Sequence, residues 1–205
     1  MSKKDDKAII RVIGGNAEAV TGSCSVIEYK GETYLFECGM FQGKTVSETY
    51  KENKRILSQI KFQKVDVVMV GHCHQDHTGN IPALYSTRKC HARIIVPKGS
   101  TAILKEMWLD GAYINDRDSK ILSAKAEKFV PPLFTEADVN EALKHIEEYD
   151  SYNVHQITEW LSIRYTPAGH IFLSQQTEVI LKDTVNKTIL FTSDIGNLTT
   201  QNERV

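Results

Sequence analysis

The chain has 205 residues, of which 41% are hydrophobic and 25% charged, with 12 glycines and 5 prolines. That composition fits one globular domain and excludes a disordered tail, a collagen-like repeat and a coiled coil. Lys+Arg number 25 against 26 Asp+Glu, a net charge of −1, which excludes a uniformly basic nucleic-acid-binding surface but leaves room for a local basic cleft.

Residues 1–7 are charged, lack an apolar core and show no signal peptide. Residues 8–13, 23–29 and 33–38 read as strands, the last two joined by a hairpin turn at Gly31-Glu32. Residues 39–43, Gly-Met-Phe-Gln-Gly, form a glycine-flanked loop that lacks the P-loop Lys-Ser/Thr and the GxGxxG pattern. Its expected role is to line a cleft. Residues 46–60 predict a helix with Ile56, Leu57 and Ile60 on one stripe. Residues 65–70, VDVVMV, form a short apolar run, as in a strand covered on both faces. Residues 80–87 predict a helix, 93–96 a strand stopped by Pro97, and 100–113 and 119–129 further helical segments. Residues 135–149 predict a long helix, with Thr135 as its cap, Asp138 three residues on, and Val139, Leu143 and Ile146 sharing a face. Strands return at 160–165, 177–181 and 188–192. Buried strands interleaved with helices imply a layered α/β domain.

Cys24, Cys38, Cys73 and Cys90 show no C-x-x-C spacing, which argues against a zinc knuckle or a disulfide frame. Reduced thiols, and no apolar run near the ~20 residues of a membrane span, lead to the expectation of a cytoplasmic, membrane-free protein.

Three of the seven histidines fall within six residues: His72-Cys73-His74-Gln75-Asp76-His77. The H-x-H-x-D-H run follows directly on the strand at 65–70. A strand end fixes the backbone, so the following loop can aim several side chains at one point. His72 and His74 alternate and can face one metal; Asp76 and His77, past the bend, can face a second. Imidazole with carboxylate suits zinc, and less tightly manganese or iron. A His-rich surface loop is the plainer alternative. His170, in TPAGH, and Asp194, in TSDIG, each follow a strand and can open on the same sheet edge; alone, each would be read as structural. Cys73, between two candidate ligands, points away and packs. Trp108, Met107 and Leu104 read as core, and Lys51, Lys54 and Arg55 as a solvated basic face that could track RNA. His145 reads as solvated on a helix face, and His91 and His155 as loop or strand-edge residues.

The segments LFECG (35–39), GHCHQDHTG (71–79), PAGH (167–170) and TSDIG (192–196) resemble the metallo-β-lactamase superfamily. Within it the chain is similar to the β-CASP nucleases, of the RNA 3′-end-processing endonuclease and RNase J type, through the stretch PLFTEADVNEAL (132–143) and the motif spacing. The resemblance implies an αββα sandwich. It implies two zinc ions, with manganese as a substitute: one held by His72, His74 and His170, the other by Asp76 and His77, with Asp194 bridging. Two ions roughly 3.5–4 Å apart share a hydroxide that attacks phosphorus in line. Asp76 counts as both ligand and catalytic carboxylate. Glu37 stands where the family has Asp, behind the ligands, and orients a ligand or the metal-bound water.

The resemblance also implies that residues 1–205 are the N-terminal portion of a metallo-β-lactamase domain. The β-CASP cap, the later part of the fold, the last histidine ligand of the second metal and the general acid would then lie outside this sequence. From this come three expectations: metal binding that leans on His74 more than on Asp76, strand residues near Ile189 and Phe191 short of partners, and a tendency to homo-oligomerise or to recruit a partner completing the fold. The leading functional expectation is a metal-dependent ribonuclease with RNA as partner. The alternatives are another hydrolase of the same fold, acting on a thioester, lactone or small phosphodiester, and a catalytically inactive binding subunit.

Overall fold

The computed structural model describes residues 7–16 and 19–196, so the charged start read at residues 1–7 lies, but for Lys7, outside the described residues. The chain opens with β1 (Ile9–Asn16), β2 (Ala19–Tyr29) and β3 (Glu32–Phe36), followed by α1 (Val46–Ser58) and β4 (Val67–Met69). Two short helices, α2 (Gln75–Thr78) and α3 (Ile81–Leu84), precede β5 (Arg93–Pro97) and α4 (Ser100–Ala126). Then come α5 (Glu136–Leu143), β6 (Ile146–Tyr149), β7 (Val154–Gln156), β8 (Leu161–Pro167), β9 (Gln175–Leu181) and β10 (Lys187–Phe191).

These strands make two sheets, a six-stranded one ordered β1-β2-β3-β4-β5-β6 and a four-stranded one ordered β10-β9-β8-β7. β1, β2 and β3 pair antiparallel, β3 to β6 pair parallel, and the second sheet is antiparallel throughout. The strand alternation sorts side chains into two cores. Tyr34, Phe36, Val67, Met69 and Ile95 face Ile163, Tyr165, Val179 and Leu181 between the sheets. Leu35, Val68, Val70, Ile94 and Val96 face Ile56, Leu84, Leu104, Trp108 and Val139 of the helices. The continuous apolar runs at β4 and β5 thus reflect burial on both sides. Helix layer, sheet and sheet are three layers of the expected sandwich, and the described residues supply them.

Local expectations change at three places. The helical segments read at 100–113 and 119–129 join into α4, because Asn115 and Ser119, which interrupt the apolar stripe, are buried with their polar groups satisfied. Asn115 Nδ2 donates to the Gly111 carbonyl at 2.9 Å and Ser119 Oγ to the Val130 carbonyl at 2.5 Å. The helix read at 135–149 keeps its start, a capping box in which Thr135 and Asp138 serve each other's ends, but stops at Leu143. Ile146 to Tyr149 pair instead with Ile94 to Pro97, since β5 offers an open parallel edge whose hydrogen bonds outweigh local helix preference. α3 is shorter than residues 80–87, and β7, only three residues long, had no apolar pattern to reveal it.

The expected shortage of partners at the end of the second sheet is met only in part. Phe191 stacks on Phe36 with ring centroids 4.2 Å apart, and Ile189 packs against the inter-sheet core. Leu190, between them on edge strand β10, is exposed. No helix among the described residues is long and apolar enough to cross a membrane.

Candidate metal centre

Loops at one end of the two sheets converge on a single cluster. Tyr165, fully buried, donates its hydroxyl to the carbonyls of Val70 and Ile95 at 3.0 and 3.1 Å, pinning the ends of β4 and β5 to the second sheet. The Gln175 amide holds the Gly71 carbonyl at 2.8 Å. His72 therefore leaves β4 from a fixed point. α2 then carries Asp76 and His77, and the glycine-flanked loop packs against it: the amides of Cys38 and Met40 donate to the carbonyls of His77 and Gln75 at 3.0 and 2.9 Å. A Cβ on Gly39 would lie 1.6 Å from the Asp76 carbonyl oxygen, so only glycine permits this approach. Asn53 and Asn80, both fully buried, secure the loop. Asn53 caps both polar groups of Phe41, and Asn80 donates to the Gly39 carbonyl at 2.7 Å.

His170 is placed by a turn in which Ser174 Oγ accepts the amides of His170 and Ile171. The loop carrying Asp194 is tied to it by the Gly196 amide, which donates to the Ala168 carbonyl at 2.9 Å.

The structure brings all six expected ligand residues together. Ring nitrogens of His72 (Nε2) and His170 (Nε2) lie 3.2 and 3.3 Å from Nδ1 of His74. Asp194 Oδ2 is 3.4 Å from His170 Nε2 and 3.9 Å from His72 Nε2. Ligands about 2.0–2.1 Å from a tetrahedral zinc stand about 3.3 Å from one another, so the spacing of this group fits the ion. The other oxygen of Asp194, Oδ1, lies 3.4 Å from His77 Nε2, which is in turn 3.7 Å from Asp76 Oδ2. Asp194 thus turns one oxygen to each group. A His/Asp/Glu arrangement of this kind suits a divalent metal.

Glu37, fully buried, stands behind these groups. Its Oε2 accepts the Ser23 hydroxyl at 2.6 Å and lies 2.7 Å from His77 Nδ1; its Oε1 accepts the Ser193 hydroxyl at 2.7 Å. Ser193 Oγ is also 2.9 Å from His72 Nδ1. Glu37 could itself be counted with His72 and His77 as a ligand triad, but it meets the Nδ1 side of His77, away from the nitrogen that faces Asp76 and Asp194. The left-handed backbone at Glu37 (φ 60°) and Ser193 (φ 51°) is a conformation that non-glycine residues rarely adopt, and these are two of the seven such residues among those described.

Burial, with the neighbouring rings of His77, His74 and His170, pulls the pKa of His72 down to about 3. His77 moves the other way: burial opposes its charged form, but the Glu37 hydrogen bond and charge, with Asp76 and Asp194, outweigh it and raise its pKa. One imidazole is thereby held neutral and the other rendered more basic, within a ring-centroid distance of 4.1 Å. A cleft of ≈ 320 Å³ opens beside them, walled by Phe36, Phe191, His77 and Asp194.

The remaining histidines stay apart from the cluster. His145 is not on a helix face; it lies in the turn after α5, mostly buried, with its ring 5.0 Å from that of Tyr85. His155 on β7 lies 2.8 Å from an Asp150 oxygen, and His91 is exposed. Cys73 is buried in the helix-side core. Ser23, Asn53, Asn80 and Ser193 were not singled out by sequence reasoning, because hydroxyls and amides carry no spacing signature of their own.

A family model described as the metallo-beta-lactamase superfamily matches residues 17–158. The endoribonuclease ysh1 of Emericella nidulans is 28% identical over 191 residues, covering 92% of this chain and 20% of that protein. A ribonuclease of Thermus thermophilus is 28% identical over 190 residues, covering 89% of this chain and 37% of its own length. Cleavage and polyadenylation specificity factor subunit 3-I of Arabidopsis thaliana is 26% identical over 199 residues, covering 95% and 25% respectively. The chain thus spans well under half the length of these relatives. Among solved structures, the metallo-beta-lactamase fold protein YhfI of Bacillus subtilis matches with a TM-score of 0.54 at 14% identity, covering 92% of this chain and 64% of that one, which shows the shared fold.

Proposed function

We propose, from the premise that this chain belongs to the metallo-beta-lactamase superfamily, that its cluster serves a zinc-dependent hydrolase cleaving RNA phosphodiester bonds. The observation that carries this reading is the meeting of His72, His74, His170 and Asp194, whose ligand atoms all lie within 4.8 Å of one another. The relatives named as an endoribonuclease and a ribonuclease supply the substrate class. The motif resemblance places the protein in the β-CASP branch. Residues 1–205 are read as the N-terminal portion of the catalytic domain, and RNA as its partner.

In this reading His72, His74, His170 and Asp194 would hold one zinc ion, and Asp76 and His77 with Asp194 would hold a second, with manganese as a substitute. Divalent ions there would polarise the scissile phosphodiester and activate water as the nucleophile. The protein's own groups prepare that chemistry. Glu37 holds the Nδ1 proton of His77, leaving Nε2 free to face Asp76 and Asp194. Asp76 and Asp194, the more exposed of the acidic groups, border the open side from which a phosphodiester enters. Phe36 and Phe191 dry one wall of the cleft.

The test is hydrolysis of 5′-monophosphorylated and 5′-triphosphorylated RNA, a thioester and a lactone by the protein with zinc or manganese. Weak RNA cleavage, lost on chelation and in His74→Ala, is expected, since this reading puts the general acid outside residues 1–205. Thioester or lactone turnover with intact RNA would favour a different hydrolase of the same fold. Zinc binding with no turnover of any substrate would favour a binding subunit.

A further inference from the structure

The hydrogen bonds around Glu37 leave few ways to distribute protons. A carboxylate only accepts. The contact of Ser193 Oγ with Glu37 Oε1 at 2.7 Å must therefore contain the one Ser193 hydroxyl proton. The same oxygen, 2.9 Å from His72 Nδ1, then has only lone pairs to offer, and the proton in that contact belongs to the imidazole. His72 is thereby the Nδ1–H tautomer. Its Nε2 is a bare lone pair aimed at the group formed with His74 and His170. His77 is oriented by the same carboxylate without a relay.

We propose that Ser193 is a positioning residue that passes the acceptor character of Glu37 to His72, sets its tautomer, and so ties both ligand groups to one buried carboxylate. This rests on the metal reading of the site given above. The backbone supports it. Ser193 sits at φ 51°, where glycine would be at ease and serine is not. Space has also been cleared for its side chain, because a Cβ on Gly71 would stand 2.8 Å from Ser193 Oγ and 2.9 Å from its Cβ. A residue whose only task was to turn the chain would be better as glycine. The hydroxyl is what serine adds, and both of its contacts lead to the cluster.

Ser193→Gly separates the two roles. In the metal-free protein, two-bond ¹H–¹⁵N correlation spectra of ¹⁵N-histidine-labelled samples report the tautomer of each ring directly. Wild type is expected to show His72 as the Nδ1–H form, and Ser193→Gly to lose that form. Thermal stability of the metal-free variant is expected to stay close to wild type, because relief of the backbone at φ 51° offsets part of the cost of unpairing Glu37 Oε1 and His72 Nδ1. Its zinc affinity, measured by competition with a chromophoric chelator, is expected to fall about 10–100-fold, the usual consequence of removing the group that orients a ligand. An Nε2–H form of His72 in wild type would overturn the proposal. So would a Ser193→Gly protein that keeps both the Nδ1–H form and wild-type zinc affinity. Wild type that shows the expected tautomer yet binds no zinc would end the metal reading of the site while leaving the proton arrangement standing.

Discussion

The imidazole of His77 and the carboxylate of Glu37 form a contact of 2.7 Å between two side chains that are almost fully buried. Glu37 accepts three hydrogen bonds in all, from Ser23, Ser193 and His77. Glu37→Gln keeps the shape but turns one acceptor into a donor, so one of those three donors faces an N–H. The expected cost is about 1–3 kcal/mol of stability, the penalty of an unpaired buried polar group. Zinc affinity should fall about 10–100-fold as both histidines lose their orientation. Denaturant unfolding in chelator and a zinc competition titration measure the two effects separately.

Trp108 on α4 donates its indole N–H to the Thr78 carbonyl at 3.2 Å and is 1% exposed. Thr78 ends α2, the turn bearing Asp76 and His77. Trp108→Phe should cost about 1–3 kcal/mol by leaving that carbonyl unpaired. Trp108→Ala should cost about 3–5 kcal/mol through the cavity it opens. If the indole N–H matters to the site, zinc affinity falls in the Phe variant as well. Equal stability of Trp108→Phe and wild type in urea would show that the hydrogen bond contributes nothing.

Gly39→Ala should be among the most damaging small substitutions in the chain. Its Cβ would stand 1.6 Å from the Asp76 carbonyl oxygen, so the loop or α2 must move. A loss of about 3 kcal/mol or more is expected, at the upper end for overpacking. Loss of zinc binding should follow, since the same movement displaces Asp76 and His77. Circular dichroism on thermal unfolding together with zinc content measures both.

The pair Arg93–Glu147 links β5 to β6, with Arg93 Nε donating to Glu147 Oε1 at 2.6 Å. That hydrogen bond from Arg93, opposed by burial and helped by Tyr149, holds the pKa of Glu147 below its ordinary value of 4.5. A carboxylate with a folded pKa below its unfolded one adds stability above the unfolded value and loses it as pH falls through the folded value. The stability gap between wild type and Glu147→Gln should therefore be full above about pH 5 and close progressively below the ordinary value of 4.5. Both side chains are more than a third exposed, so the gap at neutral pH should not exceed about 1 kcal/mol. Urea unfolding of both proteins between neutral and acid pH checks the sign.

The residues of the cluster were legible because metal chemistry restricts residue type and spacing. Four ligand-type residues crowd into His72–His77, just after an apolar strand, and His170 and Asp194 repeat the strand-then-ligand placement. The strands buried on both faces were legible for a similar reason: β4 and β5 have no polar side to hide. Ser193 was not legible, since its role depends on Glu37, 156 residues away in sequence, and on the gap left by Gly71. Nor was the change from α5 to β6, because Ile146 keeps helical spacing with Val139 and Leu143 and only the open edge of β5 decides otherwise.

The central claim is that His72, His74, His170 and Asp194 bind zinc. Anomalous diffraction at the zinc edge, from crystals of the protein grown with zinc, tests it most directly. The expected result is a strong peak within about 2.0–2.2 Å of the facing atoms of those four residues, and a weaker one between Asp76, His77 and Asp194. A map with no anomalous peak inside the four-residue group, or with zinc held only elsewhere on the surface, would contradict the claim.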